Sequence, residues 1–209
     1  ILAAVRDVLR PSPARGTADA SGLAGRTLLV SAGGTQEAID PVRFIGNRSS
    51  GKMGFALAAE AARRGARVLL VSGPSPLADP PGVAEVRRVR TADEMFFALR
   101  VWLPQADALL MAAAVADYRP AAPAEEKLKR GAGPLRLELE PTPDLLHELH
   151  PGKGRRLFVG FALETGALEE AARAKLQRKG LDLVVANRVG PHTGPESATN
   201  QVWVYDAQG

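Results

Sequence analysis

The sequence predicts an α/β fold: a parallel sheet with helices on both faces and a small β flap to one side. Three observations predict it. Short apolar runs alternate with stretches of helical spacing from residue 26 to about residue 205. That alternation calls for crossover connections, which place strands parallel and helices on the sheet faces. One stretch, LLVSAGGTQEAIDPVRFIGNRSSGKMGFALAAEAARR at 28–64, reads as strand, glycine turn, long loop and Ala-rich helix.

The elements follow in order. Residues 1–10 have helical spacing through Ile1, Val5, Val8 and Leu9. Residues 11–25 are rich in Pro, Ala, Ser and Gly and read as a linker. Residues 27–32 have the length and composition of a buried strand. The long loop after Gly33-Gly34-Thr35 ends at Ser49-Ser50-Gly51, where a serine accepts an orphan N–H at the start of a helix that Gly65 stops. A second strand, 67–71, leads into a Pro-rich loop at 74–81. A third, 84–89, precedes Thr91, an N-cap with Glu94 at the capping-box position, and a helix to about residue 103. Residues 108–113 form a fourth strand, after which 115–120 leaves the sheet. A charged segment, 125–133, is followed by an alternating run at 135–139, an exposed strand or hairpin arm. Pro143-Asp144 opens a short helix. A strand at 157–161, a helix at 167–179, a strand at 183–186 and an edge strand at 201–205 complete the pattern.

The chain has 209 residues, a net charge of +4 and no cysteine. Disulfides and thiol chemistry of its own are excluded, which suits a cytoplasmic enzyme. No apolar run reaches membrane-spanning length, so no membrane association is expected. The basic residues are scattered and aromatics are few, which speaks against nucleic acid and for phosphorylated small molecules.

In a doubly wound sheet the ligand lies beyond the carboxyl ends of the strands. That rule selects Gly33-Gly34, Ser72-Gly73, 113–117, 161–165 and Asn187. The glycine and serines before the long helix suit phosphate, because free N–H groups and the positive end of the dipole meet there. Two common phosphate motifs are absent. Residues 46–53 read G-x-x-x-x-G-K-M, and Met53 replaces the hydroxyl that would hold magnesium. The G-x-G-x-x-G fingerprint is missing, and no acid ends the second strand. Asp117 at a strand mouth is either a turn cap or a ligand for magnesium or a sugar hydroxyl. Lys127, Lys129 and Arg130 are either a solvated loop or a flap closing over phosphates. Lys175 and Lys179 share a helix face, either a wet face or a triphosphate clamp. Asn47 is either a turn former or a carboxamide that polarises a carbonyl. His147, His150 and His192 lack metal-ligand spacing.

These motifs together resemble the bacterial form of the phosphopantothenoylcysteine synthetase (phosphopantothenate–cysteine ligase) family. The carriers are AGGTQEAIDPVRFIGNRSSGKMG, LVSGP, AAAVADYRP followed by EKLKR, PTPDLL, VGFALET, AKLQRKGLD and VVAN, in the family's order from Arg26 to about Tyr205. The resemblance implies a Rossmann-like fold and a CTP-dependent ligase of coenzyme A biosynthesis. Phosphopantothenate would react with CTP and Mg2+ to give an acyl-cytidylate and pyrophosphate, and L-cysteine would then displace CMP. It assigns Asn47 and Lys127 to catalysis. Gly33, Ser49, Ser50, Gly51, Met111, Ala112, Ala113, Asp117, Lys127, Pro143, Asp144, Leu145, Leu146, Phe161, Lys175 and Lys179 would bind the nucleotide, with Asn187 at the base edge. Arg43, Asn47 and Ala114 would meet the substrate, and magnesium would be held mainly by the triphosphate.

The family relationship also implies a homodimer whose site is completed across the interface, and a flavin-dependent decarboxylase upstream in the same polypeptide. Residues 1–25 are then expected to be a residual helix and linker of that domain, without its flavin. Residues 26–209 are expected to be the ligase domain, clipped before a last strand and helix. Gly46, Arg48 and the run after Lys127 depart from the family's usual residues. Two rivals remain: a nicotinamide-dependent reductase, and a nucleotide-binding module without catalysis.

Overall fold

Strand β1 (Thr27–Ala32) is almost wholly buried, and its side chains divide by parity between the two faces of the sheet. Leu28 and Val30 face one core layer and Leu29 the other. A strand covered on both faces reads as a continuous apolar run, because each buried Leu or Val contributes roughly 1.5–3 kcal/mol. The computed structural model describes residues 1–9, 22–189, 194, 197 and 199–207. Most of the predicted linker and His192 lie outside the described residues.

The remaining elements are α1 (Leu2–Leu9), β2 (Glu37–Ala38), β3 (Phe44–Ile45), α2 (Lys52–Arg63), β4 (Arg67–Ser72), β5 (Glu85–Arg88), α3 (Ala92–Trp102), β6 (Ala108–Met111), β7 (Tyr118–Pro120), β8 (Leu139–Pro141), α4 (Leu145–Leu149), β9 (Leu157–Glu164), α5 (Leu168–Arg178), β10 (Leu183–Arg188) and β11 (Trp203–Asp206). The main sheet has the order β11-β10-β9-β6-β1-β4-β5. All its pairings are parallel except that of the edge strand β11 on β10. The strand order reverses between β1 and β6. Helices α3, α4 and α5 pack on one face, and α1 and α2 on the other. This is the doubly wound α/β sheet that the alternation predicted.

Helix α2 presses against β1 at Gly54. A Cβ there would lie 2.5 Å from the Ala32 Cβ and 2.9 Å from the Ser31 carbonyl oxygen, so only glycine allows this approach. The helix closes as expected at Gly65: the N–H groups of Gly65 and Ala66 donate to Ala62 and Ala61. Its start differs from the expected serine cap. The N-cap is Gly51, left-handed at φ 79° and without a side-chain cap bond. Ser50 Oγ accepts weakly from Lys52 N at 3.4 Å and Ser49 Oγ from Gly51 N at 3.3 Å, so the serines brace the approach to the helix.

Three other expectations need correction, and the N-terminal helix gains a placement. The long loop contains a two-stranded hairpin, β2 on β3. The exposed arm expected at 135–139 pairs only at Leu139–Pro141, against β7, and this pair forms the base of the flap. The fourth strand ends at Met111 rather than residue 113. The N-terminal helix is packed into the fold: Leu2 and Val5 are buried in the layer shared with Leu157, Val159 and Leu183. Among the described helices, α1 and α2 alone contribute buried residues to that face, so α1 covers β9 and β10.

Candidate active site

The carboxyl ends of β1 and β6 part at the point where the strand order reverses, and side-chain bonds hold the opening. Gly34 and Ala114 continue the two strands as a single bridge. Ser31 Oγ, buried in β1, donates to the Met111 sulfur at 3.3 Å and accepts from Ala113 N at 3.1 Å. Thr35 Oγ1 accepts from Ala116 N at 2.9 Å. Thr142 donates through Oγ1 to the Ala116 carbonyl at 2.5 Å and through its N–H to the Asp117 carbonyl at 3.0 Å. Residues 112–117 are therefore fixed from three directions.

Beside them lies a groove of about 1330 Å³, larger than the usual small-molecule pocket of roughly 300–1,000 Å³ and suited to a nucleotide with an extended second substrate. The structure brings most of the sequence-selected residues to it. Asn47, Ser49 and Gly51 line the side formed by the start of α2. Met111–Ala114 and Asp117 line the floor, Pro143–Leu146 and Phe161 one wall, and Lys175 and Lys179 the α5 side. The start of α2 opens onto the groove at Gly51 and Lys52, the end of a helix whose dipole favours negative charge.

Of the residues selected by the strand-end rule, Gly34, Ser72, Gly73, Ala162, Glu164 and Thr165 do not line the groove, and four that the resemblance assigned do not either. Gly33 lies beneath it, with its N–H 3.4 Å from where a Gly51 Cβ would stand. Ser50 turns away, its carbonyl accepting from Ser75 Oγ at 2.9 Å. Arg43 and Lys127 sit to one side, where Arg43 Nη1 donates to the Leu128 carbonyl at 3.0 Å. That places the flap cation beside the substrate-loop cation, both outside the groove in this conformation.

Electrostatics favour an anion. Lys175 is half-buried and donates to the Phe161 carbonyl at 2.5 Å. Burial pushes its pKa below the ordinary lysine value, with Arg178 adding to the shift and Glu164 and Asp117 opposing it. A bound phosphate would relieve that penalty. Lys179 pairs with Asp144, which also caps α4 by accepting from His147 N at 3.3 Å. The wet-face reading of the two lysines is thereby overturned, because both side chains point into structure.

Asn47 Nδ2 donates to the Val115 carbonyl at 2.9 Å. This fixes the carboxamide over the floor and leaves its second N–H for a ligand. Asp40 was not singled out from the sequence. Its side chain is buried, and although burial raises its pKa, bonds from the backbone N–H groups of Val42, Arg43 and Leu128, with the Arg43 charge, hold it down to about 2. Thr142, Arg178 and Met53 also line the groove without having been selected. A buried serine inside an apolar strand was the one available signal for Ser31.

Among the described residues no three His, Cys, Asp or Glu side chains cluster as metal ligands. Among the described residues, Glu60, Asp117 and Asp144 supply the carboxylates that line the groove. That donor set fits a magnesium ion that keeps water and phosphate oxygens as most of its ligands. No helix of the described residues is long and apolar enough to cross a membrane.

Comparison with known proteins agrees with this fold. The family model described as the DNA/pantothenate metabolism flavoprotein C-terminal domain matches residues 23–209. The coenzyme A biosynthesis bifunctional protein CoaBC of Mycobacterium tuberculosis is 49% identical over 199 residues, covering 90% of this chain and 47% of the relative. The chain thus spans about half the length of the curated relatives it matches. The crystal structure of the C-terminal domain of a CoaBC protein superposes with a TM-score of 0.76 at 39% identity, covering 91% of this chain and 86% of that one. A Cab2 variant in complex with phosphopantothenate-cysteine shares the fold at a TM-score of 0.68 and 19% identity, over 88% and 81% of the two chains.

Proposed function

The chain belongs to the DNA/pantothenate metabolism flavoprotein C-terminal domain family, and from that premise we propose that it is a phosphopantothenate–cysteine ligase acting in coenzyme A biosynthesis. The observation that carries this reading is the groove at the β1–β6 reversal. It combines a helix N-terminus and two half-buried lysines for a triphosphate with an anchored carboxamide for an acyl carbonyl.

A carboxylate is a poor acyl donor, so a nucleotide must activate it. In the first step a carboxylate oxygen of 4′-phosphopantothenate bonds to the α-phosphorus of CTP. The bond to the β-phosphate oxygen breaks and pyrophosphate leaves. The N-terminal N–H groups of α2, with Lys175 and Lys179, hold the triphosphate, and Lys127 on the flap closes over it. Arg43 and Ala114 hold the phosphopantothenate part. In the second step the amine of L-cysteine attacks the acyl carbon, CMP departs, and the amine gives up its proton. Negative charge develops on the acyl oxygen, and the free N–H of Asn47 stabilises it. Magnesium, when bound with the triphosphate, neutralises charge on its oxygens.

CTP is the nucleotide of this reading because the loop and flap motifs are of the bacterial type, and the buried Asn187 lies at the groove to meet the base edge. Residues 26–209 are taken as the ligase unit, joined in the full-length protein to a flavin-dependent decarboxylase, within the cytoplasm. A homodimer belongs to the same reading. Val42 (60% exposed), Phe44 (52%), Tyr118 (54%) and Leu139 (43%) are exposed apolar side chains on the two hairpins, of the kind a second copy would cover.

The deciding experiment is pyrophosphate release from CTP with magnesium, with and without 4′-phosphopantothenate, before cysteine is added. Release that requires phosphopantothenate and is slow with ATP is the expected result. Release without phosphopantothenate, or none while NADPH binds tightly, would overturn the reading.

A further inference from the structure

We propose that Asp40 is a positioning residue that fastens the flap to the substrate loop, so that the cations Arg43 and Lys127 reach the groove as one unit. The inference rests on the functional reading above for its catalytic half alone. Asp40 Oδ1 accepts from Val42 N at 2.8 Å and from Arg43 N at 2.7 Å. Its Oδ2 accepts from Arg43 Nη1 at 2.5 Å and from Leu128 N at 3.2 Å. A carboxylate has about four acceptor sites, and here all four are occupied. Its side chain is buried. Asp40 is therefore not available as an acid, base or metal ligand; its chemistry is entirely that of a clamp.

The clamp joins two segments far apart in sequence. One is the β2–β3 hairpin, whose turn contains Asp40 and Arg43. The other is the flap, where the N–H of Leu128 belongs to the peptide plane that begins at Lys127. Two further bonds run between the same segments: Arg43 Nη1 to the Leu128 carbonyl at 3.0 Å, and Ala124 N to the Ile39 carbonyl at 2.8 Å. Residues 124–128 are thus held along the hairpin at both ends. The Lys127 side chain remains exposed between them. The backbone on either side of Lys127 cannot swing alone while Asp40 is ionised. Any motion that carries Lys127 over the groove therefore carries the Arg43 loop with it.

The test compares two variants of the whole chain. Asp40→Asn keeps the shape but replaces the charged acceptor of Oδ2. Leu128→Pro deletes the flap N–H and leaves Asp40 untouched, which guards against a folding defect from the first. Loss of a bond to a charged group should raise amide exchange across 124–130 by about tenfold or more. Amides of β1, β4 and β6 should stay unchanged. CTP affinity in the absence of phosphopantothenate should remain within about twofold, while kcat for pyrophosphate release falls about tenfold or more and KM for phosphopantothenate rises. Exchange at 124–130 that matches the parent in both variants would overturn the clamp. Faster exchange with unchanged kcat and KM would overturn its catalytic meaning. A parent chain that releases no pyrophosphate would defeat the functional reading, while the exchange data would still decide whether Asp40 ties the flap down.

Discussion

Lys179 forms an ion pair with Asp144, joining the end of α5 to the N-cap of α4 at the rim of the groove. On the proposed reading, a triphosphate entering the groove must compete with that carboxylate for the lysine. Asp144 is 43% exposed, so the pair is worth no more than about 1 kcal/mol. Asp144→Asn should keep the helix cap, since Asn caps as well as Asp. It should tighten CTP binding by up to about fivefold, an effect that salt reduces. Calorimetric titration at two ionic strengths checks both points.

Asn47→Asp separates the two chemical steps. The substitution removes the carboxamide donors and sets a carboxylate against the Val115 carbonyl. Pyrophosphate release should persist, while amide formation should fall about 10²–10³-fold, the usual cost of one lost donor to a developing oxyanion. Quenched-flow measurement of both products decides it. An equal fall in the two rates would remove Asn47 from the carbonyl-holding role.

Lys175 should give nucleotide binding an alkaline limb. Its pKa is lowered by burial, so the charged form is penalised in the empty protein. That cost to stability is full below the lowered pKa, declines as pH rises above it and vanishes only above the ordinary lysine pKa. On the proposed reading, CTP binds the charged form. Affinity should therefore decline on the alkaline side at a lower pH than an ordinary lysine would give. Lys175→Met should abolish this limb, weaken CTP binding by about ten- to a hundredfold and raise the melting temperature of the empty protein. Binding measured across pH, together with thermal melts, tests all three effects.

Gly54→Ala tests the coupling of α2 to the sheet. The added Cβ meets Ala32 and Ser31 at distances real contacts do not reach. The helix must lift off β1, at a cost of about 1–3 kcal/mol in urea unfolding. Because the start of α2 lines the groove, CTP affinity should drop as well.

Much of this was legible from local pattern. The runs at β1, β4, β6, β9 and β10 declared buried strands, and the glycine after α2 declared its end. The site segments were legible as strand ends, because a doubly wound sheet leaves few other places for a ligand. What was not legible depends on pairs distant in sequence. Strands of two residues such as β2 and β3 have no period to detect. Glu37 is buried because it accepts from Ala92 N at the start of α3, 55 residues away. Asp40 reads as an ordinary turn acid until Leu128 is placed beside it. The spacing of α1 announced an apolar face but not the sheet it covers. Even at α2 the obvious serines misled, because cap geometry is decided by backbone conformation and Gly51 alone tolerates it.

The flap is a ring with its ends already joined. Tyr118–Pro120 pairs with Leu139–Pro141, and Arg119 ties the base to Asp93 at 2.7 Å and Glu140 at 2.8 Å. Loop closure is settled at that base, so doubling the length of residues 121–138 should cost only about 0.6 kcal/mol. Gly131 and Gly133 have open space around them. A fluorophore or a short tag inserted there would ride on the flap while leaving the sheet unaware of it. On the proposed reading, the same ring can thus serve as a window for watching the nucleotide arrive.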